Sequence, residues 1–333
     1  MEKHLPATWS EIFEGGSMEA EHRLFLTLAQ DILRVQELNR ERASASQALR
    51  TFHAKMVIGV TNAHLVISSD LPERFRVEYF TAGARLPATI RLSNASGVPQ
   101  SDSTADMRGM ALRISIPSGS FHDLLLTNFP VSHARNARQF VNFARIASGG
   151  RATMAQRMTA QFGKEETGRI LSNLKEAARP CASLLQERFW SRGAILWGQA
   201  GPVRFNIRPS SADKSTVGAS ASTADSLTKD FVANLRKADV IYRLALQEFV
   251  SETITPIEDG AVEWKEADAP SIDVATLVIP KQDIDSDGQR ALAAVDGVAF
   301  NPWNAPDSFR PLGNLMRARK VVYAASAEKW LRT

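Results

Sequence analysis

Three segments that alternate apolar and polar residues follow one another with no helical pattern between them, and this restricts the fold more than any other feature. They are Phe52-His-Ala-Lys-Met-Val-Ile-Gly-Val60, Leu86-Pro-Ala-Thr-Ile-Arg-Leu-Ser93 and Met110-Ala-Leu-Arg-Ile-Ser-Ile116. Side chains on a strand point to opposite faces in turn, so each segment reads as a half-buried strand, the first carrying His53 near its start. Pro117-Ser-Gly-Ser120 reads as a turn leading to a further apolar run at Leu124–Leu126. Several strands in a row without intervening helices predict an antiparallel sheet or barrel.

Helical spacing surrounds this block. Leu24, Phe25, Leu28, Ala29, Ile32, Leu33, Val35 and Leu38 predict an amphipathic helix over about 17–45. Helical patterns return at about 136–148, 153–177 and 182–190, and strand-like runs at Val203–Arg208, Val240–Val250 and Val274–Ile279. Pro209–Ser226, rich in Ser, Ala and Thr, reads as a surface loop or short linker. The segment Asn314–Leu331 holds no Gly or Pro and predicts a closing helix. The fold class is therefore α+β. With no internal repeat or composition shift to mark a second core, one domain is expected over 1–333: an arm at 1–46, a body at 47–310 and a last helical segment at 311–333.

Composition removes several function classes. A chain of 333 residues that is 44% hydrophobic and 23% charged can bury a sizeable core, which excludes disorder and coiled coil. The net charge of +4 is spread without a Lys/Arg block, so no nucleic-acid partner is expected, whereas a small anionic ligand fits. The lone Cys181 forms no intramolecular disulfide, CxxC metal pair or CxxCH haem attachment. No stretch approaches the roughly 18 apolar residues of a membrane span. The first residues carry acids where a signal peptide needs an apolar run, so a cytoplasmic, membrane-free protein is expected. GxSxG, Walker A, GxGxxG and HExxH are all missing, which removes the common hydrolase, nucleotide and zincin readings.

The residues that could carry chemistry are dispersed. His53 in Arg50-Thr-Phe-His53-Ala-Lys55 reads as a general acid–base or as a plain solvated histidine. Arg91 and Ser93 share one strand face. Asp106-Met-Arg108-Gly109-Met-Ala111 reads as a turn into a strand held by an Asp/Arg pair. Leu126-Thr127-Asn128-Phe-Pro130 is followed by Phe140, and Arg319 and Tyr323 stand one turn apart on one helix face.

In this order, the five elements resemble the catalase superfamily, and more closely the short catalase-related haem peroxidases that keep its haem-binding core. Arg50-x-x-His53-Ala-Lys55 is similar to the family's distal histidine motif, Ile90-Arg91-Leu-Ser93 to its Arg-Phe-Ser strand, Arg108-Gly109-x-Ala111 to its Arg-Gly-Phe-Ala element, and Arg319-x-x-x-Tyr323 to its proximal tyrosine motif. Thr255-Pro-Ile-Glu-Asp259, Val278-Ile-Pro-Lys-Gln282 and Phe300-Asn-Pro-Trp-Asn-Ala-Pro306 extend the likeness over about residues 45–326.

The resemblance implies a catalase-type antiparallel β-barrel with surrounding helices and a C-terminal helix carrying the proximal tyrosine. It implies haem b, with Tyr323 as axial ligand of the iron, Arg319 beside it, Arg50 and Arg91 on the propionates and Phe140 at the ring. A free phenol titrates near pH 10, so keeping Tyr323 ionised at pH 7 requires roughly 4 kcal/mol, to which the iron and a guanidinium one turn away both contribute. His53 would move the peroxide proton, oriented by Ser93. The distal amide of the family falls at Thr127 when counted back from Pro130. Asn128, one residue on, would serve only if a bulge re-aims its side chain. The family's paired phenylalanines fall on Ser132 and His133.

The implied function is a haem peroxidase using hydrogen peroxide to oxidise a small organic substrate, with at most weak catalase activity because the distal wall departs from the pattern. Two alternatives stay open: a peroxide- or hydroperoxide-using biosynthetic haem oxidase, such as a hydroxylase or an allene-oxide-synthase-like isomerase, and a non-catalytic haem-binding protein. Homo-oligomer formation is left open as well.

Overall fold

The alternating segments pair as expected, each with its successor. In the computed structural model, which describes residues 8–150, 152–210, 223–284 and 288–331, strands β1 (Met56–Ile67), β2 (Arg85–Asn94), β3 (Arg108–Ser115) and β4 (Phe121–Thr127) form an antiparallel run. A second run is built from β5 (Phe189–Ser191), β6 (Ile195–Leu196), β7 (Pro202–Pro209), β8 (Val240–Glu248) and β9 (Ile272–Ile279). β1 pairs with β9, and β5 bridges β4 to β7, so eight antiparallel strands close into a ring, with β6 attached to β7. Closure leaves the ring without an edge.

Alternation divides the strands into two faces. Ile90, Leu92, Met110, Leu112, Leu124 and Leu126 are buried in the main apolar core. Their neighbours stand on the opposite face in two rungs, Arg91–Ala111–Leu125 and Ser93–Gly109–Thr127, because the β2–β3–β4 register is unbroken.

The helices are α1 (Met18–Arg42), α2 (Ala137–Ser148), α3 (Met154–Phe162), α4 (Lys164–Ala177), α5 (Ser226–Leu235), α6 (Gly288–Asp296) and α7 (Asn314–Leu331). Ser17 caps α1 by accepting from the Ala20 N–H at 3.1 Å, with Glu19 and Glu21 in the first turn and Arg40 and Arg42 in the last. Asn136 caps α2 through the Gln139 N–H at 2.9 Å. A second apolar cluster joins Phe25, Leu28, Ile32 and Val35 of α1 to Ala137, Val141 and Ala144 of α2 and Ala318 of α7.

Three expectations are corrected. Residues 52–55 are not strand: β1 starts at Met56, and His53 lies ahead of it with φ +57°. The alternation there belongs to an irregular segment whose N–H groups at His53 and Ala54 bond the carbonyls of Ala95 and Ser96. The pattern at 182–190 is a short 3₁₀ turn, Leu184–Gln186, running into β5, because Phe189 and Trp190 are taken into the ring by β7. The pattern at 153–177 breaks at Gly163, whose φ of +80° no continuous helix allows. Of the loop expected at Pro209–Ser226, residues 211–222 lie outside the described residues. Among the described residues, no helix is long and apolar enough to cross a membrane.

Candidate active site

The outer face of β2–β4 and the layer of α1, α2 and α7 enclose a cavity of about 520 Å³, within the usual range for ligand sites. The barrel supplies Arg91, Ser93, Gly109, Ala111, Leu125 and Thr127. α7 supplies Leu315, Ala318, Arg319, Val322, Tyr323, Ser326, Ala327 and Trp330. Those eight α7 positions recur at intervals of three and four, so one helical stripe forms a whole wall. Phe140 and Val141 of α2 add apolar surface.

His53 projects into this space with its Nδ1 3.0 Å from the Ser93 hydroxyl, while Arg91 Nη2 donates to the His53 carbonyl at 3.0 Å. Burial, reinforced by Arg91, Arg319, Arg192 and Arg50, pushes the imidazole down to about 3, so it is neutral near pH 7. Gly109 makes room for the ring: a Cβ there would lie 2.5 Å from His53 Cε1. In the same cavity Arg319 Nη2 donates to the Tyr323 hydroxyl at 2.6 Å, with the guanidinium 4.7 Å from the ring centroid.

Positive charge is concentrated here. Arg91 donates from Nε and Nη2 to Asp296 Oδ1 at 3.2 and 3.1 Å, and Arg50 donates to the carbonyls of Asp296 and Val298. Burial and the neighbouring Arg91 push Arg50 down to about 9, so its charge persists at neutral pH. Among the described residues, Asp296 is the one carboxylate bonded to any of Arg50, Arg91, Arg192 and Arg319. A largely apolar cavity with surplus guanidinium charge and a phenol paired to arginine fits haem, whose carboxylates need cations and whose iron accepts a tyrosine oxygen.

Of the residues expected at the site, His53, Ser93, Thr127, Arg50, Arg91, Phe140, Arg319 and Tyr323 all line this one cavity. Asn128 is the correction. No bulge interrupts β4, so Asn128 turns away from the Thr127 side, accepts from the Arg108 N–H at 2.6 Å and donates to Glu187 at 3.0 Å. His133 does reach the wall, stacked against Phe140 and Phe143 with ring centroids 5.0 and 4.5 Å away. Sequence reasoning missed Arg192, which lines the cavity and bonds Thr127. Its signal was a charge inside the otherwise apolar, small-residue stretch Phe189–Trp197.

The catalase family model matches residues 17–166 of the chain. A catalase-related peroxidase of Mycolicibacterium paratuberculosis is 26% identical over 254 residues, covering 74% of this chain and 78% of that protein. Among solved structures, a bacterial catalase superposes with a TM-score of 0.67 at 19% identity, over 98% of this chain and 64% of its own. Catalase A from Saccharomyces cerevisiae superposes with a TM-score of 0.65 at 15% identity, over 87% and 63%. The chain thus spans less than two thirds of the length of these solved catalases. Both superpositions are on the catalase barrel, so the chain has the catalase fold, and its sequence is similar to the catalase family model and to a catalase-related peroxidase.

Proposed function

We propose that the chain is a haem-dependent peroxidase that uses hydrogen peroxide to oxidise a small organic substrate, with at most weak catalase activity. The observation that carries this reading is a neutral histidine, oriented by a serine, in the same cavity as a phenol bonded to a guanidinium. Tyr323 would hold haem b through its phenolic oxygen, Arg50 and Arg91 would bind its propionates, and Phe140 would pack on the ring. When bound, haem supplies the redox centre that takes oxidising equivalents from peroxide and passes them to the donor.

The chain's own residues handle the proton. With Nδ1–H donated to Ser93 Oγ, His53 presents the lone pair of Nε2. That nitrogen would accept the proton of an incoming peroxide and return it to the departing oxygen, while haem, when bound, would supply the electrons for the cleavage. Arg319 fixes the position of the Tyr323 oxygen by donating to it. Weak catalase turnover follows from the wall opposite: Thr127 stands where the family has an amide, and Ser132 and His133 replace apolar side chains.

The test is the absorption spectrum of the haem-reconstituted protein, followed through addition of peroxide with and without organic donors. A Soret band that peroxide perturbs and a donor restores is the expected result, and no Soret band would overturn the reading. His53→Ala should keep the haem and slow the peroxide reaction by roughly 10²–10⁴-fold. An unchanged rate would leave the non-catalytic haem-binding alternative standing. Preference for an organic hydroperoxide over hydrogen peroxide would favour the biosynthetic oxidase.

A further inference from the structure

Arg192 sits in the hairpin between β5 and β6, and its Nη1 donates to Thr127 Oγ1 at 3.1 Å and to the carbonyls of Phe129 and Val131 at 3.1 and 2.6 Å. All three acceptors are neutral. A guanidinium has five N–H groups, and Arg192 Nε and Nη2 make no bond among the described residues. Neither atom is sealed inside protein without a partner, as the Nε atoms of Arg108 and Arg204 are, and Arg192 lines the cavity.

A second observation lies next to it. His133 is nine-tenths buried on the same cavity wall, and its Nε2 has no hydrogen-bond partner among the described residues. That nitrogen is sealed within the wall, as the Nε atoms of Arg108 and Arg204 are, so Arg192 carries the accessible donors at this corner of the cavity. Arg192 is also among the cations that, after burial, keep this imidazole neutral.

Pairing selects the ligand, and it rests on the haem reading: the propionates join Asp296 at Arg50 and Arg91, and the Tyr323 oxygen meets Arg319. Among the described residues no carboxylate bonds Arg192, in a cavity whose remaining wall is largely apolar. We propose that Arg192 binds the carboxylate of an organic acid, the substrate of the peroxidase reaction, with its apolar body against the packed rings of Phe140, Phe143 and His133. A planar guanidinium with two free donor positions matches a carboxylate in a way that a lysine does not.

The test compares benzoate with benzamide, which share shape and differ in charge, on the haem-loaded protein by calorimetry and by Soret perturbation. Benzoate should bind at least about tenfold tighter, the loss expected when one charge-assisted contact is absent. Arg192→Gln should remove that preference while leaving haem occupancy and the unliganded Soret band unchanged. Arg192→Lys, which keeps the charge without the fork, should restore it in part, and it serves as the readout should the glutamine variant fail to fold. Equal binding of the two probes, or a preference that survives in Arg192→Gln, would overturn the proposal. Failure of the haem reading shows separately as a missing Soret band, and calorimetry still reports the carboxylate preference and its dependence on Arg192.

Discussion

His53 is held in the left-handed backbone region, with φ of +57°, at a cost of roughly 1–2 kcal/mol for a residue with a Cβ. That conformation directs the ring toward Ser93 and over Gly109, whose missing side chain is the space the imidazole uses. Gly109→Ala should therefore displace the ring and slow the peroxide reaction on the order of 10²-fold while the Soret band stays, a result stopped-flow spectroscopy can read. Thr127 and Asn128 predict opposite outcomes. Asn128→Ala strips partners from the buried Arg108 N–H and from Glu187, so it should cost about 1–3 kcal/mol in denaturant titration with little kinetic effect on the folded fraction. Thr127→Val should leave stability nearly unchanged and alter the peroxide rate. The period of two framed this choice without deciding it, since a one-residue step on a regular strand reverses the face and a bulge, which no sequence pattern marks here, would have restored Asn128. The backbone at His53 was not readable, because Phe52, Ala54 and Met56 imitate a strand until tertiary bonds to Ala95 and Ser96 override the pattern.

At the scale of elements, α7 carries both Arg319 and Tyr323, so whatever fixes this helix fixes that hydrogen-bonded pair. Its first turn is anchored by Arg317, which pairs with Glu11, Glu21 and Glu258 at 2.7–2.9 Å. Burial alone would raise the Glu21 carboxyl, but Arg317, the Glu14 N–H and Asn314 together bring it below its ordinary value. A lowered folded-state value stabilises above the unfolded pKa, and that stability is lost as pH falls. Arg317→Ala leaves these carboxylates facing one another and should destabilise the protein by about 3–5 kcal/mol, with haem affinity falling alongside; thermal melts with haem titration check both. The limits of α7 were legible because no Gly or Pro interrupts Asn314–Leu331. Arg192 was not, since an arginine's worth depends on the acceptors that surround it, and those come from the distant Thr127–Val131 segment.

For the whole molecule, three histidines held neutral by their surroundings set the acid limit. Burial foremost pushes His53, His122 and His133 each from 6.5 to about 3. Between those values the unfolded chain takes up protons that the folded chain refuses, so stability is whole above about pH 6.5 and declines as pH falls. Melting temperature should drop steeply between pH 6 and 4 by roughly the sum of these contributions. His122→Gln, away from the cavity and bonded to Tyr79 in the wild type, should flatten the slope without touching the haem spectrum. A last consequence follows from the ring of strands closing on itself, whereas α1, α2 and α7 cover the cavity from outside. Amide exchange of the protein prepared without cofactor should fall into two populations, slow within the barrel and fast along α7. Loading should slow only the second, making the helical layer a reporter of occupancy and the barrel its internal clock.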